Sequence, residues 1–269
     1  MVTLALAVLF ACGAFAAAYF AVGLGMGWSI FLAVVAFGLF QIVVGRRIQR
    51  AVKGEMDAVQ AILADGQKRL QAKMQRWQMR PPGSIQEAQR QVMADTRVFV
   101  GEAIARTDSL ARFRLWVPMM DRQIATAKLQ LNWMIKEFKA VDALMPKALF
   151  LDPTMSAIRL ARLYMTDART EEIAKVYAKA ARRLKYNQNV LLAATWSWIL
   201  VRRGDADGAF KALTEALRNS DDATLKRNHE ELMNNRVAHF NNSGLGDQWY
   251  ALHLEEPKVR MQRQRSFGR

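Results

Sequence analysis

The first 45 residues carry no charged side chain, and this feature restricts the fold more strongly than any other. A helix of that length is about 68 Å long, which is about two crossings of the hydrocarbon core of a bilayer. The glycine-rich stretch GLGMGW at 23–28 divides the segment near its middle. The sequence therefore predicts a transmembrane hairpin in residues 1–45, with one helix at Val2–Val22 and a second at Trp28–Val44.

A cluster of cations follows directly: Arg46, Arg47, Arg50 and Lys53. Lysine and arginine next to a transmembrane helix mark its cytoplasmic end, and they are attracted to anionic lipid headgroups. We therefore expect a multi-pass protein of the inner membrane with both termini in the cytoplasm, and these four residues at the membrane interface.

Two other interpretations of the N-terminus are a cleaved signal peptide, with small residues at 16–18, and a lipoprotein signal ending at Cys12. A signal peptide usually begins with basic residues, and none is present here. In the lipoprotein case a second apolar segment would follow the lipidated cysteine at once. Both observations favour an uncleaved hairpin.

The rest of the chain is predicted to be all-α, because good helix formers dominate it and only six prolines interrupt it. Residues 46–117 are predicted to form a long helical stalk and connector. Their apolar positions recur at steps of three and four and favour packing on the chain's own domain over a dimeric coiled coil, whose heptads would be stricter. Pro81 is expected to end the first stalk helix, Ser84 to cap the next, and Asp121 to cap another that runs toward Met145.

Residues 204–220, GDADGAFKALTEALRNS, contain the clearest internal pattern. Gly204 and Asp205 form a turn before a helix. Ala209, Leu213 and Ala216 are spaced by four and three, so they lie on one face of that helix. Small residues on a shared face let a neighbouring helix approach closely, so we expect these residues to be packing residues.

With its neighbours, this stretch resembles the tetratricopeptide repeat family, in which two helices recur every 34 residues or so. Ser197 matches the small residue of a first helix, and Asp152-Pro153 resembles the exit of a preceding unit. Earlier matches to the family's small and aromatic positions are Ala161, Tyr164, Ala174 and Ala181. The resemblance implies a helical solenoid over residues 118–240. Residues 241–269 are predicted to form a basic tail, because the stretch 257–269 has five basic residues and no acidic one. The overall layout also resembles that of the HemY-like proteins of haem synthesis.

The sequence contains no assembled catalytic constellation. HEELM at 229–233 has methionine where a zinc protease helix has its second histidine. The GLGMG stretch lies in the predicted hairpin turn, so it is not a nucleotide fingerprint. We therefore expect a protein that is not an enzyme and has no catalytic residue, cofactor or metal site.

The resemblance implies a membrane-anchored scaffold or adaptor that recruits protein partners at the cytoplasmic face. In the family, the first helices line a concave peptide-binding face. Carried over by register, that face would present Trp198, Arg202, Asn228, Asn235 and Arg236. A groove with cations and amides would suit an acidic peptide segment.

Other functions stay open. The protein would be an accessory or assembly subunit of a membrane complex if the hairpin makes the contacts, through Gly13, Ala17 and Gly38. The net charge of +15 also allows a module that binds nucleic acid or anionic lipid, although nucleic acid is disfavoured because few aromatic residues alternate with the cations. An oligomer is compatible with each of these functions.

Overall fold

The computed structural model describes residues 2–23, 25–79 and 82–257. Within these ranges the chain is all-helical and has no strand, as predicted. It divides into two compact units, residues 1–149 and residues 150–269, and each is described by itself. This boundary differs from the predicted division at residues 45, 117 and 240, since the hairpin and the connector belong to one unit.

The first unit is built on an N-terminal helical hairpin. Its helices are α1 (Val2–Ala16), α2 (Met26–Met79), α3 (Ile85–Thr107), α4 (Met120–Met134) and α5 (Phe138–Leu144). A π-helical turn extends α1 to Ala21, and α1 packs on the first part of α2, where the Phe10 and Phe40 rings lie 5.3 Å apart. Both helices are long and apolar enough to cross a membrane, and most of their large apolar side chains are exposed.

The second helix, α2, continues without a break for 54 residues. The first part of the predicted stalk, as far as Met79, is therefore helical and continuous with the second apolar helix, with Gly54 and Gly66 inside it. One face of α2 packs on the chain's own core: Val59 joins Phe99 of α3, while Ile48 and Val52 lie against a second cluster. The prediction that the stalk's apolar face packs on the chain's own domain is therefore confirmed. Arg80 and Pro81, where the sequence predicts the helix end, lie outside the described residues.

Ser84 caps α3 as predicted, since its Oγ accepts a hydrogen bond from the Glu87 N–H at 3.1 Å. The predicted cap at Asp121 is wrong. Met119, in the left-handed conformation with φ 62°, is the residue before α4, and Asp121 lies one position inside the helix and pairs with Arg114. The helix predicted to run to Met145 is interrupted between α4 and α5, where Lys136 has φ 59°.

The second unit is a succession of short helices. They are α6 (Pro153–Met165), α7 (Thr170–Ala181), α8 (Val190–Arg202), α9 (Ala206–Leu217), α10 (Ala223–Met233) and α11 (Asp247–Tyr250). From α6 to α10 each helix packs on the next, and α6 also packs on α8. Aspartates begin three of these helices: Asp152, Asp205 and Asp222 each accept hydrogen bonds from first-turn N–H groups.

The predicted face of α9 packs as expected, since the small residues Ala209 and Ala216 and the larger Leu213 between them are all buried. In α7 the predicted register is wrong by one residue. Ile173 and Ala180 are the buried positions, whereas Ala174 and Ala181 are only half-buried. The aromatic Tyr177, one turn from both buried positions, stacks on Trp196 with ring centres 5.5 Å apart. Burial, together with the charge of Glu215, raises the pKa of Tyr177 to about 12.

The segment after residue 240 belongs to the fold as far as residue 257. Two 3₁₀ turns, Val237–His239 and Ser243–Leu245, lead into α11, and Asn242, Trp249 and Leu252 are fully buried. The predicted tail at 241–269 is therefore wrong in its first 17 residues, which complete the second unit. The basic part from Lys258 onward lies outside the described residues.

Candidate interaction sites

The four cations after the apolar stretch form a basic surface on α2. Arg46, Arg47, Arg50 and Lys53 are all exposed, and in the part of the chain that the structure describes none of them forms an ion pair. Arg46, Arg50 and Lys53 are spaced by four and three, so they lie on one face of the helix. We call these four residues the basic collar. Their charges point away from the core and are available to external anions.

A different part of α2 carries a buried carboxylate, Glu55. Its oxygens accept hydrogen bonds from Ser109 Oγ at 2.6 Å and from Arg112 Nη2 at 2.7 Å, and the Arg106 guanidinium lies 2.8 Å away. The Ser109 hydrogen bond, reinforced by the two arginines and opposed by desolvation, holds the pKa of Glu55 below its usual range. Glu55 lies 11 residues past Val44, outside the apolar stretch. The cluster fastens α2 to the end of α3 and the 3₁₀ turn that follows it.

The predicted partner face in the second unit is covered by the chain itself at two of its five residues. Trp198 is only 5% exposed and Asn228 is fully buried, so their expected exposure to a partner is wrong. The covering segment is the folded part of the predicted tail. Arg202 stays exposed at the end of α8, and Asn235 and Arg236 are exposed after α10.

Trp198 takes part in a carboxylate-binding arrangement. The indole N–H of Trp198 donates to Glu255 Oε1 at 2.8 Å, and the indole N–H of Trp249 donates to Glu255 Oε2 at 2.8 Å. Arg202 adds a charged hydrogen bond to Oε1 at 3.2 Å, and its guanidinium lies 5.0 Å from the centre of the Trp198 ring. We call Trp198, Arg202 and Trp249 the carboxylate clamp. Both oxygens of Glu255 are satisfied by it.

The clamp is built on two helices and the C-terminal segment. Trp198 packs edge-on against Tyr164 of α6, with ring centres 5.2 Å apart, and Trp249 packs against the other side of the site at 5.8 Å from Trp198. The sequence pointed to Trp198 and Arg202 but missed Trp249 and Glu255. A signal was present, because the acidic pair Glu255-Glu256 directly precedes a tail that has five basic residues and no acidic one.

Asn228 has a structural role in this unit. Its side-chain amide donates to Asn242 Oδ1 at 2.7 Å, and its carbonyl oxygen accepts the Asn241 N–H at 3.0 Å. Asn242 in turn donates to the Ala194 carbonyl of α8 at 3.0 Å. These bonds tie the C-terminal segment to α8 and α10, so the amide of Asn228 is already used inside the fold.

Asn235 and Arg236 lie at the exit of α10. Asn235 adopts the left-handed conformation with φ 55°, and the Arg236 N–H donates to the Glu231 carbonyl at 2.8 Å. Among the described residues no hydrogen bond or ion pair joins either side chain to Arg202. The structure therefore brings Trp198 and Arg202 together and does not connect Asn235 and Arg236 to them.

His229, the first residue of HEELM, stacks on Phe210 with ring centres 4.5 Å apart, and its ring nitrogen lies 3.0 Å from Thr214 Oγ1. Its contacts join α9 to α10. Within residues 2–23, 25–79 and 82–257, no three histidine, cysteine or carboxylate side chains gather into a group that would hold a metal ion.

Comparisons with known proteins return no relative of this chain. No protein-family model matches it, no curated protein matches it, and no solved structure matches it. The function is therefore inferred from the described residues themselves.

Proposed function

We propose that this protein is a membrane-anchored helical scaffold that holds protein partners at the cytoplasmic face of the inner membrane. One observation carries this proposal. In the single continuous helix α2, an apolar stretch with exposed side chains ends at Val44, is followed at once by the unpaired basic collar, and then packs into a folded domain. A helix of this kind has the composition of a bilayer anchor and of a cytoplasmic stem in the same element.

The dimensions support two crossings. The segment Val2–Ala21 has 20 residues, which is about 30 Å of helix and the thickness of the hydrocarbon core. The stretch Met26–Val44 is about 28 Å long by the same rise per residue. The basic collar then lies at the level of the lipid headgroups, and the positive-inside rule assigns that side to the cytoplasm. Both termini are on this side in the proposal.

The scaffold part rests on the second unit. The pairs α6–α7 and α8–α9, the packing of α6 on α8 and the buried small residues of α9 support an arrangement like that of tetratricopeptide repeats. We infer that a partner supplies an acidic segment, because the carboxylate clamp, formed by α8 and α11, already binds the carboxylate of Glu255. In the proposal a carboxylate of the partner displaces Glu255 from the clamp. Glu255 is thus a competitor that belongs to the chain itself.

The test uses native membranes. Crosslinking of the full chain followed by mass spectrometry is expected to identify a partner whose crosslinked peptide is acidic and maps to the clamp. Arg202→Glu is expected to abolish that crosslink, while Arg236→Glu, a charge reversal at an exposed position outside the clamp, leaves it in place. Retention of the crosslink in the Arg202→Glu protein contradicts the site, and release of the protein by alkaline carbonate contradicts the anchor.

A second candidate, an accessory subunit that binds through the hairpin, is favoured by one further observation. An apolar groove of about 390 Å³ runs along α1 and α2 and is lined in part by Ala11, Cys12 and Ala33. The space beside Gly13 and Gly38 is open, so another transmembrane helix would approach closely. Deletion of residues 1–45 separates the two candidates, because a soluble fragment that still captures the partner favours the scaffold.

A further inference from the structure

A short apolar loop connects the 3₁₀ turn (Asp108–Phe113) to α4. It consists of residues 114–119, RLWVPM, and we call it the RLWVPM loop. Leu115 is 68% exposed and Met119 is 62% exposed, whereas their neighbours Phe113 and Met120 are buried. Trp116 between them is half-buried. Two large apolar side chains and an indole are thus presented together on one short loop.

The loop lies beside the start of the hairpin. The Val2 N–H, at the first residue of α1, donates a hydrogen bond to the Leu115 carbonyl at 3.3 Å. In the proposed anchor, α1 enters the bilayer at this residue. In the proposal the backbone of Leu115 therefore contacts Val2, the residue at which α1 enters the bilayer, and the Leu115 side chain is exposed beside it.

A second, independent contact places the loop at the same level. Residues on either side of it, Phe113 and Met120, form a buried cluster against which Ile48 and Val52 of α2 pack. Ile48 is four residues past Val44, about 6 Å along the helix axis. The headgroup layer on each side of a bilayer is roughly 5–8 Å thick. The cluster that supports the loop is thus within reach of the headgroup layer.

The charges around the loop match an anionic surface. Arg112 pairs with Glu55, and Arg114, the first residue of the loop, pairs with Asp121. Arg122, just after the loop, is exposed and has no ion pair among the described residues. The basic collar adds four unpaired cations on the opposite side of α2. Exposed leucine and methionine with a half-buried tryptophan and a nearby arginine are the composition of a segment that lies in a membrane interface.

We propose that the RLWVPM loop inserts Leu115, Trp116 and Met119 into the interface of the leaflet from which the hairpin emerges. This gives the first unit a third membrane contact besides its two spanning segments, and it fixes how the unit is oriented on the bilayer. The inference rests on the proposed membrane anchor. Its occupant is lipid, and an apolar surface of another protein is the outcome that the test distinguishes.

The experiment measures the depth of a fluorophore in the full chain. An environment-sensitive label is placed at Met119→Cys in a Cys12→Ser background, and the protein is reconstituted into vesicles of phosphatidylcholine and phosphatidylglycerol. Met79→Cys is the matched control, because Met79 is also an exposed methionine, 88% accessible, and lies at the far end of α2, about 52 Å beyond Val44. Val34→Cys, in the apolar stretch, reports insertion of the anchor, and Leu115→Cys provides a second label on the loop.

The labels at 119 and 115 are expected to be quenched by nitroxide-bearing lipids and protected severalfold from aqueous iodide, as compared with the label at 79. If the labels at 119 and 115 are as accessible to iodide as the label at 79, while the label at 34 is quenched by lipid, the loop insertion is overturned. The proposed membrane anchor is then still supported. If the labels at 119 and 115 are as accessible to iodide as the label at 79 in vesicles, but are protected in native membranes, the loop binds a protein partner. This result also overturns the insertion of the loop into lipid. Absence of lipid quenching at 34 overturns the anchor and the inference together.

Discussion

Replacement of Gly66 by alanine tests the close approach of α2 and α3. A Cβ at this position would lie 2.5 Å from Cδ1 and 2.7 Å from Cβ of Phe99, well inside the ordinary contact distance of 3.4–4 Å. Phe99 is only 8% exposed and packs against Val59, so its side chain would have to shift out of this packing to admit the new methyl group. Glycine at this position is therefore required by the packing of the two helices.

The magnitude follows from two opposing terms. Alanine in place of glycine inside a helix stabilises it by about 1 kcal/mol. Overpacking of a core costs about 1–3 kcal/mol, and overlap with three ring and side-chain atoms places Gly66→Ala at the upper end. We expect a net loss of about 1–2 kcal/mol in the free energy of unfolding. Gly54 is the matched control, because it lies in the same helix with nothing within 4 Å of its added Cβ, and Gly54→Ala should gain about 0.5–1 kcal/mol.

The assay is urea unfolding of the full chain in detergent, followed by circular dichroism at 222 nm. The two variants should shift the midpoint in opposite directions. Phe99→Leu in the Gly66→Ala background should cost less than the sum of the two single substitutions, because the smaller side chain relieves the overlap. A stabilising Gly66→Ala, equal to Gly54→Ala, would refute the packing of α3 on α2 at this point.

Three further substitutions test other contacts. Glu55→Gln should lower the thermal midpoint at neutral pH, whereas Glu102→Gln, on the exposed face of α3, should not. Because the pKa of Glu55 is lowered in the fold, the stabilisation by its charge is present above the usual glutamate range and is lost on acidification. The thermal midpoints of the unsubstituted protein and of Glu55→Gln should therefore converge at low pH. Asn242→Ala should lower the free energy of unfolding by about 1–3 kcal/mol, because it leaves buried hydrogen-bonding groups unpaired. Asn234→Ala, at an exposed position, should lower it by about 0.5 kcal/mol or less in the same urea titration. Asp152→Ala should cost about 1 kcal/mol by removing the cap of α6, and an unchanged midpoint contradicts that role.

Local sequence signals predicted the local structure well. The charge-free stretch predicted two long apolar helices, and Ser84 and Asp152 cap helices because a cap needs only its own side chain and the next few residues. Asp121 failed as a cap because α4 starts two residues earlier, after the left-handed backbone of Met119. The register of α7 failed because alanines occur on both of its faces, and the packing of α7 against its neighbours decides which are buried.

The contacts that define the candidate sites were not predictable from local pattern. Glu55 meets Ser109 54 residues later, and Glu255 meets Trp198 57 residues earlier. A lone glutamate on a helix or in a terminal segment is usually solvated, so its burial depends on where distant residues are placed. The predicted exposure of Trp198 failed for the same reason, since the segment that covers it was interpreted as a tail.

The central claim is that the hairpin crosses the membrane and returns. Its most direct test is labelling of single cysteines, in the Cys12→Ser background, with a membrane-impermeant maleimide applied from the non-cytoplasmic side of intact cells. Gly27→Cys, at the turn of the hairpin where the added side chain meets open space, should be labelled, and Met79→Cys at the far end of α2 should be labelled only after the membrane is opened. Labelling of both positions, or of neither, before the membrane is opened would contradict the proposed topology.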